Sequence, residues 1–209
     1  MKTLILTSSG KLITSNKLDY FLPKPISESK ILYVTTASNK IPDTSIIEKQ
    51  KQIMSKLNYI YTEYDITNKS KEELKKVLSE QDIVYVEGGN TFYLLKSVRE
   101  SGFDEILKEF IPKGLVYIGT SAGSYIASPS IITASWAKDG FDRCGVTDFK
   151  AMGLVPFLMQ VHYVTGIKKM LEGKVKDLDL PLHVLNDDQA IVVKGETIQL
   201  IGGGEEIIM

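Results

Sequence analysis

The chain has 209 residues, 25 basic against 26 acidic side chains, and a hydrophobic content of 43%. That length falls in the range of one domain with a sizeable core, and the balanced charge removes the electrostatic reason to expect nucleic-acid binding. One cysteine, Cys144, excludes a disulfide framework, and two histidines, His162 and His183, leave too few ligands for a zinc-cysteine site, so no metal or cofactor is expected. No apolar run approaches the ~18 residues that span a bilayer, and the apolar start over residues 1–7 is too short for a signal peptide. The expectation is a soluble, cytoplasmic globular protein that acts on a small molecule.

Short apolar, β-rich runs open the chain and recur along it. Residues 3–7, 31–36, 59–66, 82–86 and 115–118 read as strands, and their continuous rather than alternating polarity fits strands buried on both faces of a parallel sheet. Between them, residues 44–57, 70–79, 91–100 and 103–110 carry helical patterns. The second of these opens on Ser70-Lys71-Glu72-Glu73, which has the form of a capping box. Strand-helix-strand repetition at this spacing predicts right-handed crossovers and a doubly wound α/β sheet. After Pro156 the pattern changes. Residues 182–185 read as a strand, and residues 190–193 with 197–201 read as a hairpin turning at Lys194-Gly195-Glu196. Nothing resembles a linker or an internal repeat, so residues 1–209 are read as one domain.

The fifth strand runs into Gly119-Thr120-Ser121-Ala122-Gly123, a G-x-S-x-G sequence followed by apolar Tyr125-Ile126-Ala127. Small residues flank a serine in this way where a strand turns sharply into a helix and the hydroxyl must stand exposed above the sheet. The helix that follows points its N–H groups and dipole at the same place, which favours a developing oxyanion. The fourth strand ends in Glu87-Gly88-Gly89-Asn90-Thr91, which a parallel sheet brings to the same carboxyl edge. Gly88 or Gly89 could then supply a second oxyanion N–H beside that of Ala122. Asn90 is a candidate for substrate contact as well as for capping the next helix.

A serine hydroxyl needs a base. His183 lies inside an apolar strand, which is the setting of a structural histidine. His162 follows the point where apolar periodicity breaks off, so His162 is the preferred base. The acid that orients it is less constrained. Asp187 and Asp188 lie between two late strands, whereas Asp139, Asp142 and Asp148 would restore the Ser, acid, His order of α/β-hydrolases.

Three segments in order resemble one family: Gly88-Gly89-Asn90-Thr91-Phe92-Tyr93-Leu94-Leu95, Tyr117-Ile118-Gly119-Thr120-Ser121-Ala122-Gly123, and Gly153-Leu154-Val155-Pro156 with His162-Tyr163. Together they resemble peptidase E, the aspartyl dipeptidases of serine peptidase family S51, to which cyanophycinases are related. The resemblance covers essentially the whole chain. It implies a class I glutamine-amidotransferase-like three-layer sandwich with a C-terminal β-hairpin, and it makes Ser121 the nucleophile and His162 the base. The third residue of the family is a glutamate before a late strand, and Asp187 stands in its place, with Asp188 in reserve. Gly88 or Gly89 and Ala122 would form the oxyanion hole.

Two departures bear on substrate. The family has a longer segment after the histidine, with an arginine suited to an aspartyl carboxylate, whereas Thr165-Gly166-Ile167-Lys168-Lys169-Met170 is shorter and has none. Residues 132–136 also lack an acid often found there. The resemblance therefore implies a metal-independent serine hydrolase of a short peptide or related amide, without membrane or nucleic-acid partners, as a monomer or homodimer. The alternatives are an esterase-like hydrolase with its acid before the histidine, and a non-catalytic relative that binds a small ligand or partner at the same edge.

Overall fold

A computed structural model describes residues 1–15, 17–136 and 142–209. Its frame is a seven-stranded sheet. In chain order the strands are β1 (Thr3–Thr7), β2 (Lys30–Val34), β3 (Ile60–Tyr64), β4 (Ile83–Val86), β5 (Val116–Thr120), β8 (Gln189–Lys194) and β9 (Thr197–Gly202). Across the sheet the order is β3-β2-β4-β5-β1-β8-β9. The first five run parallel, and β8 and β9 add an antiparallel hairpin beside β1. The expected doubly wound, mostly parallel sheet is present, with the hairpin where the late alternation suggested.

The unbroken apolar runs have a direct structural cause. Successive side chains of a strand point to opposite faces, so a strand covered on both sides needs apolar residues throughout. Leu4 and Leu6 of β1 join one core with Leu32, Val34, Val84 and Val86, while Ile5 joins the other with Ile31, Tyr33, Ile83 and Tyr85. The strand β3, paired on one side only, is mostly exposed and carries Thr62 and Glu63 among its aromatic residues, which suits a sheet edge.

Helices α1 (Ser45–Lys56), α2 (Lys71–Leu78), α3 (Thr91–Ser101) and α4 (Phe103–Phe110) lie within or close to the expected spans. The capping box at Ser70 and Glu73 closes in both directions. Helix α3 starts at Asn90, whose side chain accepts from the Phe92 and Tyr93 N–H groups, and stops at Gly102 with φ of 69°. No described helix is long and apolar enough to cross a membrane.

The chain after Pro156 departs from expectation in one respect. Residues 182–185 do not extend the main sheet. Strand β7 (Leu182–Val184) instead pairs with β6 (Leu158–Gln160) and β10 (Ile207–Ile208) in a separate three-stranded sheet with its own small core around Leu158, Leu171, Leu182 and Val184. Two of these strands have three residues and one has two, too few to show a period in the sequence. A further helix, α6 (Lys168–Lys174), covers that core through Leu171.

Between β5 and the short helix α5 (Ala122–Ala127) the backbone reverses within one residue. Both glycines of the motif serve close approach. A Cβ at Gly119 would lie 2.6 Å from the backbone of Gly123, and one at Gly123 would overlap the carbonyl oxygen of Val86 in β4. Gly123→Ala should therefore lift α5 from the sheet and destabilise the protein by about 1–3 kcal/mol, the usual cost of overpacking a tight core. Urea unfolding monitored by circular dichroism would measure it, and an unchanged midpoint would contradict the close packing.

Candidate active site

The carboxyl ends of β1, β4 and β5 meet at one edge of the sheet. Strand register decides which residues emerge together: Thr7 of β1 is paired with Thr120 of β5 on one side and with Ala190 of β8 on the other. The residue after β1, Ser8, is thereby set between Ser121 and the turn that leads into β8. From the other sheet, β6 delivers His162, with the Leu185 N–H donating to the Gln160 carbonyl and the Tyr163 N–H to the Leu185 carbonyl.

Ser121 occupies φ of 49° and ψ of −106°, a conformation that side chains ordinarily avoid. Several bonds hold it there. The Ser121 N–H donates to the Thr7 carbonyl, and the Ser124 N–H and Tyr125 N–H both return to the Ser121 carbonyl. Fully buried Ser124 adds a hydroxyl donated toward the Thr7 and Gly119 carbonyls at 2.7 and 2.8 Å. Strain at one residue persists because its neighbours over-determine it. The outcome is a serine hydroxyl that faces a cavity rather than the core.

Ser121 Oγ lies 2.9 Å from His162 Nε2, and His162 Nδ1 lies 2.7 Å from Asp187 Oδ1. With Nδ1–H donating to the carboxylate, Nε2 is left as an acceptor for the serine proton. His162 is itself in the left-handed region, with φ of 56°. Of the sequence candidates, Ser121, His162 and Asp187 are thus brought into one hydrogen-bonded chain, Ser to His to acid.

The others are placed elsewhere. Asp188 is exposed and pairs with Lys11 at 3.0 Å. Asp142 accepts from the Cys144 N–H, and Asp148 accepts from the Lys150 N–H and pairs with Arg99. Asp139 lies outside the described residues. His183 is buried on β7 with its ring 4.3 Å from that of Phe157, and burial lowers its pKa, as fits a structural imidazole.

The backbone donors sort differently from the two glycines named together. The Gly88 N–H is already donated to the side chain of Glu87, at 2.7 Å. Among the described residues the Gly89 and Ala122 N–H groups carry no such bond. Gly89 has φ of 139°, and a side chain there would overlap the carbonyl of Ala37. Asn90 does not border the cavity. It is fully buried, its oxygen caps α3, and its Nδ2 donates to the Asp142 carbonyl, so substrate contact is corrected to a structural role.

Sequence reasoning passed over Ser8. Its buried hydroxyl donates to Asp187 Oδ1 at 2.7 Å and accepts the His162 backbone N–H at 2.8 Å. One side chain thus ties the acid to the histidine backbone. The only signal in sequence was its place directly after the first strand, at the edge where ligands bind in such sheets. Burial pushes the Asp187 pKa up, but hydrogen bonds from Ser8 and His162 outweigh it and hold the carboxyl below its usual value.

The site opens on a cavity of about 750 Å³ that reaches from α1 to α6. Ser8, Gly88, Gly89, Ser121, His162 and Asp187 border it, with apolar walls from Ile46, Phe92, Trp136 and Met170. Among the described residues no group of three or more His, Cys, Asp or Glu side chains is arranged to hold a metal ion.

The sequence matches the Peptidase family S51 pattern over residues 4–201. It is 30% identical to an uncharacterized peptidase of Listeria innocua over 201 residues, 95% of each chain. It is 26% identical to a peptidase E of Shewanella denitrificans, covering 87% of this chain and 79% of that one. A crystal structure of a putative peptidase E from Listeria monocytogenes superposes with a TM-score of 0.83 at 29% identity, covering 98% of this chain and all of that one.

The lowered pKa of Asp187 stabilises the fold above the ordinary carboxylate value of about 3.9, and that contribution is lost as pH falls through the lower folded value. Removing the Ser8 donor should shift this loss to higher pH. Ser8→Ala should raise the Asp187 pKa in carboxyl-resolved NMR titration and slow labelling of Ser121 by a phosphonate about tenfold, in keeping with one hydrogen bond to a charged group. Unaltered titration and labelling would show that Ser8 does not hold the pair.

Proposed function

The chain belongs to peptidase family S51, and we propose that it hydrolyses short peptides or related amides through a triad of Ser121, His162 and Asp187. The observation that carries this reading is the unbroken chain of contacts from Ser121 Oγ to His162 Nε2, and from Nδ1 to Asp187. As Ser121 Oγ attacks the carbonyl carbon, His162 Nε2 takes its proton, and Asp187 stabilises the imidazolium that forms. The carbonyl oxygen, now an oxyanion, is held by the N–H groups of Gly89 and Ala122, each such donor typically worth ~3 kcal/mol. The C–N bond then breaks, the leaving amine takes the proton from His162, and an acyl-enzyme remains on Ser121. Water, deprotonated by His162, then attacks the ester carbonyl, and as the bond to Ser121 Oγ breaks His162 returns the proton to that oxygen and the acid product leaves.

For the esterase-like order, with the acid before the histidine, Asp142 and Asp148 are engaged with other partners, and Asp139 lies outside the described residues. The non-catalytic alternative is favoured by two departures from the family, aspartate in place of the glutamate and the missing arginine after the histidine. A shorter acid still 2.7 Å from Nδ1 weakens the first of these.

Ser121→Ala should abolish hydrolysis and phosphonate labelling while leaving the melting temperature within a few degrees. Asp187→Asn should lower kcat by roughly 10⁴-fold, the scale of losing the tautomer-setting acid, whereas Asp188→Asn should leave it close to that of the parent. Steady-state kinetics would check all three. Full activity of the Ser121 variant on an established substrate would rule the mechanism out.

A further inference from the structure

We propose that the cavity selects a peptide with a free α-ammonium group and an apolar first side chain, rather than an aspartyl residue. This rests on the hydrolase reading above and concerns the substrate of the same site.

The first observation is Glu87. It directly follows β4, it is only 4% exposed, and it borders the cavity. Its Oε2 accepts the hydroxyls of Tyr33 and Tyr85, each at 2.7 Å, and its Oε1 accepts the Gly88 N–H. Two carboxylate oxygens offer about four acceptor positions, so three donors leave one unused. Burial and then the Glu87 charge push both phenols far above their ordinary pKa, so they remain protonated donors. The carboxylate is held in place with acceptor capacity to spare and with no Lys or Arg within salt-bridge distance among the described residues.

Placement relative to the nucleophile supplies the second step. A Cβ on Gly88, the residue after Glu87, would lie 3.1 Å from Ser121 Cβ. The α-ammonium of an N-terminal residue is two bonds from the carbonyl carbon that Ser121 attacks. The Glu87 carboxylate itself is linked to the residue before Ser121 through Tyr85, whose hydroxyl donates to Glu87 at 2.7 Å and accepts from the Thr120 hydroxyl at 3.3 Å. A fixed carboxylate on the same cavity wall is therefore suited to read a free amino terminus.

The walls carry the third step. The cavity takes Ile41, Pro42, Ile46, Phe92, Trp136 and Met170 from four segments of the chain. The ionisable side chains that border it, among the described residues, are Asp43, Glu87, Tyr125, His162 and Asp187, none of them a lysine or arginine. An aspartyl side chain would be desolvated there beside like charges, whereas an apolar one gains from burial.

The test compares leucyl, phenylalanyl, aspartyl and N-acetyl-leucyl p-nitroanilides on the intact protein, with phosphonate labelling of Ser121 run in parallel. Leucyl or phenylalanyl substrate should exceed both the aspartyl and the acetylated compound in kcat/KM by at least about tenfold, the scale of one charge-assisted contact. Glu87→Gln should shrink the ratio between free and acetylated leucine. Labelling of Ser121 with aspartyl preferred, with acetylation tolerated, or with no compound cleaved would overturn this inference and leave the serine hydrolase standing. Neither labelling nor cleavage would overturn both.

Discussion

The site depends on one constraint, the position of β1 between two strands that run in opposite directions. Pairing parallel to β5 and antiparallel to β8, it brings the end of one and the beginning of the other to the same point. Ser8 sits at that point, with Ser121 on one side and Asp187 on the other. Slipping the register by one residue would turn every side chain of β1 to the opposite face and empty both cores at once. The geometry of the polar residues is thus secured by apolar ones, Leu4, Ile5 and Leu6, all without solvent exposure.

The strained conformation of Ser121 follows from the same arrangement. Its N–H and the hydroxyl of Ser124 both end on the carbonyl of Thr7. The strand that carries Ser8 therefore also anchors the elbow. Histidine arrives by another route, from the small sheet, where the Gln160 carbonyl and the Tyr163 N–H both bond to Leu185 on the segment that leads from β7 into β8. Ser8 closes that gap by contacting both the His162 backbone and the Asp187 carboxylate. It acts as a joint between two sheets that do not share a ladder.

What was legible in the sequence divides along physical lines. The main sheet was readable because each doubly buried strand must be apolar along its length. The elbow was readable because its turn admits only small residues at Gly119 and Gly123, a local requirement. The third member of the chain of contacts was not readable, since Asp142, Asp148, Asp187 and Asp188 all lie in turns or loops where aspartate is common for its own reasons, and Asp139 lies outside the described residues. Asp142 and Asp148 indeed accept backbone N–H groups two residues on. Asn90 shows the converse, a residue of a distinctive segment whose side chain is consumed by capping. The three-stranded sheet escaped because strands of two or three residues carry no period.

Mechanism and specificity rest on different parts of the chain. Ser121, Gly89 and His162, to which we assign the chemistry, are held by backbone geometry at positive φ. Such features tolerate little change without loss of the fold. The walls of the cavity are side chains on the surfaces of α1, α3 and the segments around Trp136 and Met170, whose identity the sheet does not dictate. The serine turn and its histidine can therefore stay fixed while the side chains of the pocket in front of them, among them Ile46, Phe92 and Trp136, change. Glu87 belongs to both parts. Its carboxylate fixes the Gly88 N–H from below, which leaves Gly89 as the glycine whose donor is unspent, and the same carboxylate brings charge to the cavity beside Ser121. The residue that shapes the oxyanion loop is thus also the one through which this pocket can read charge in a substrate.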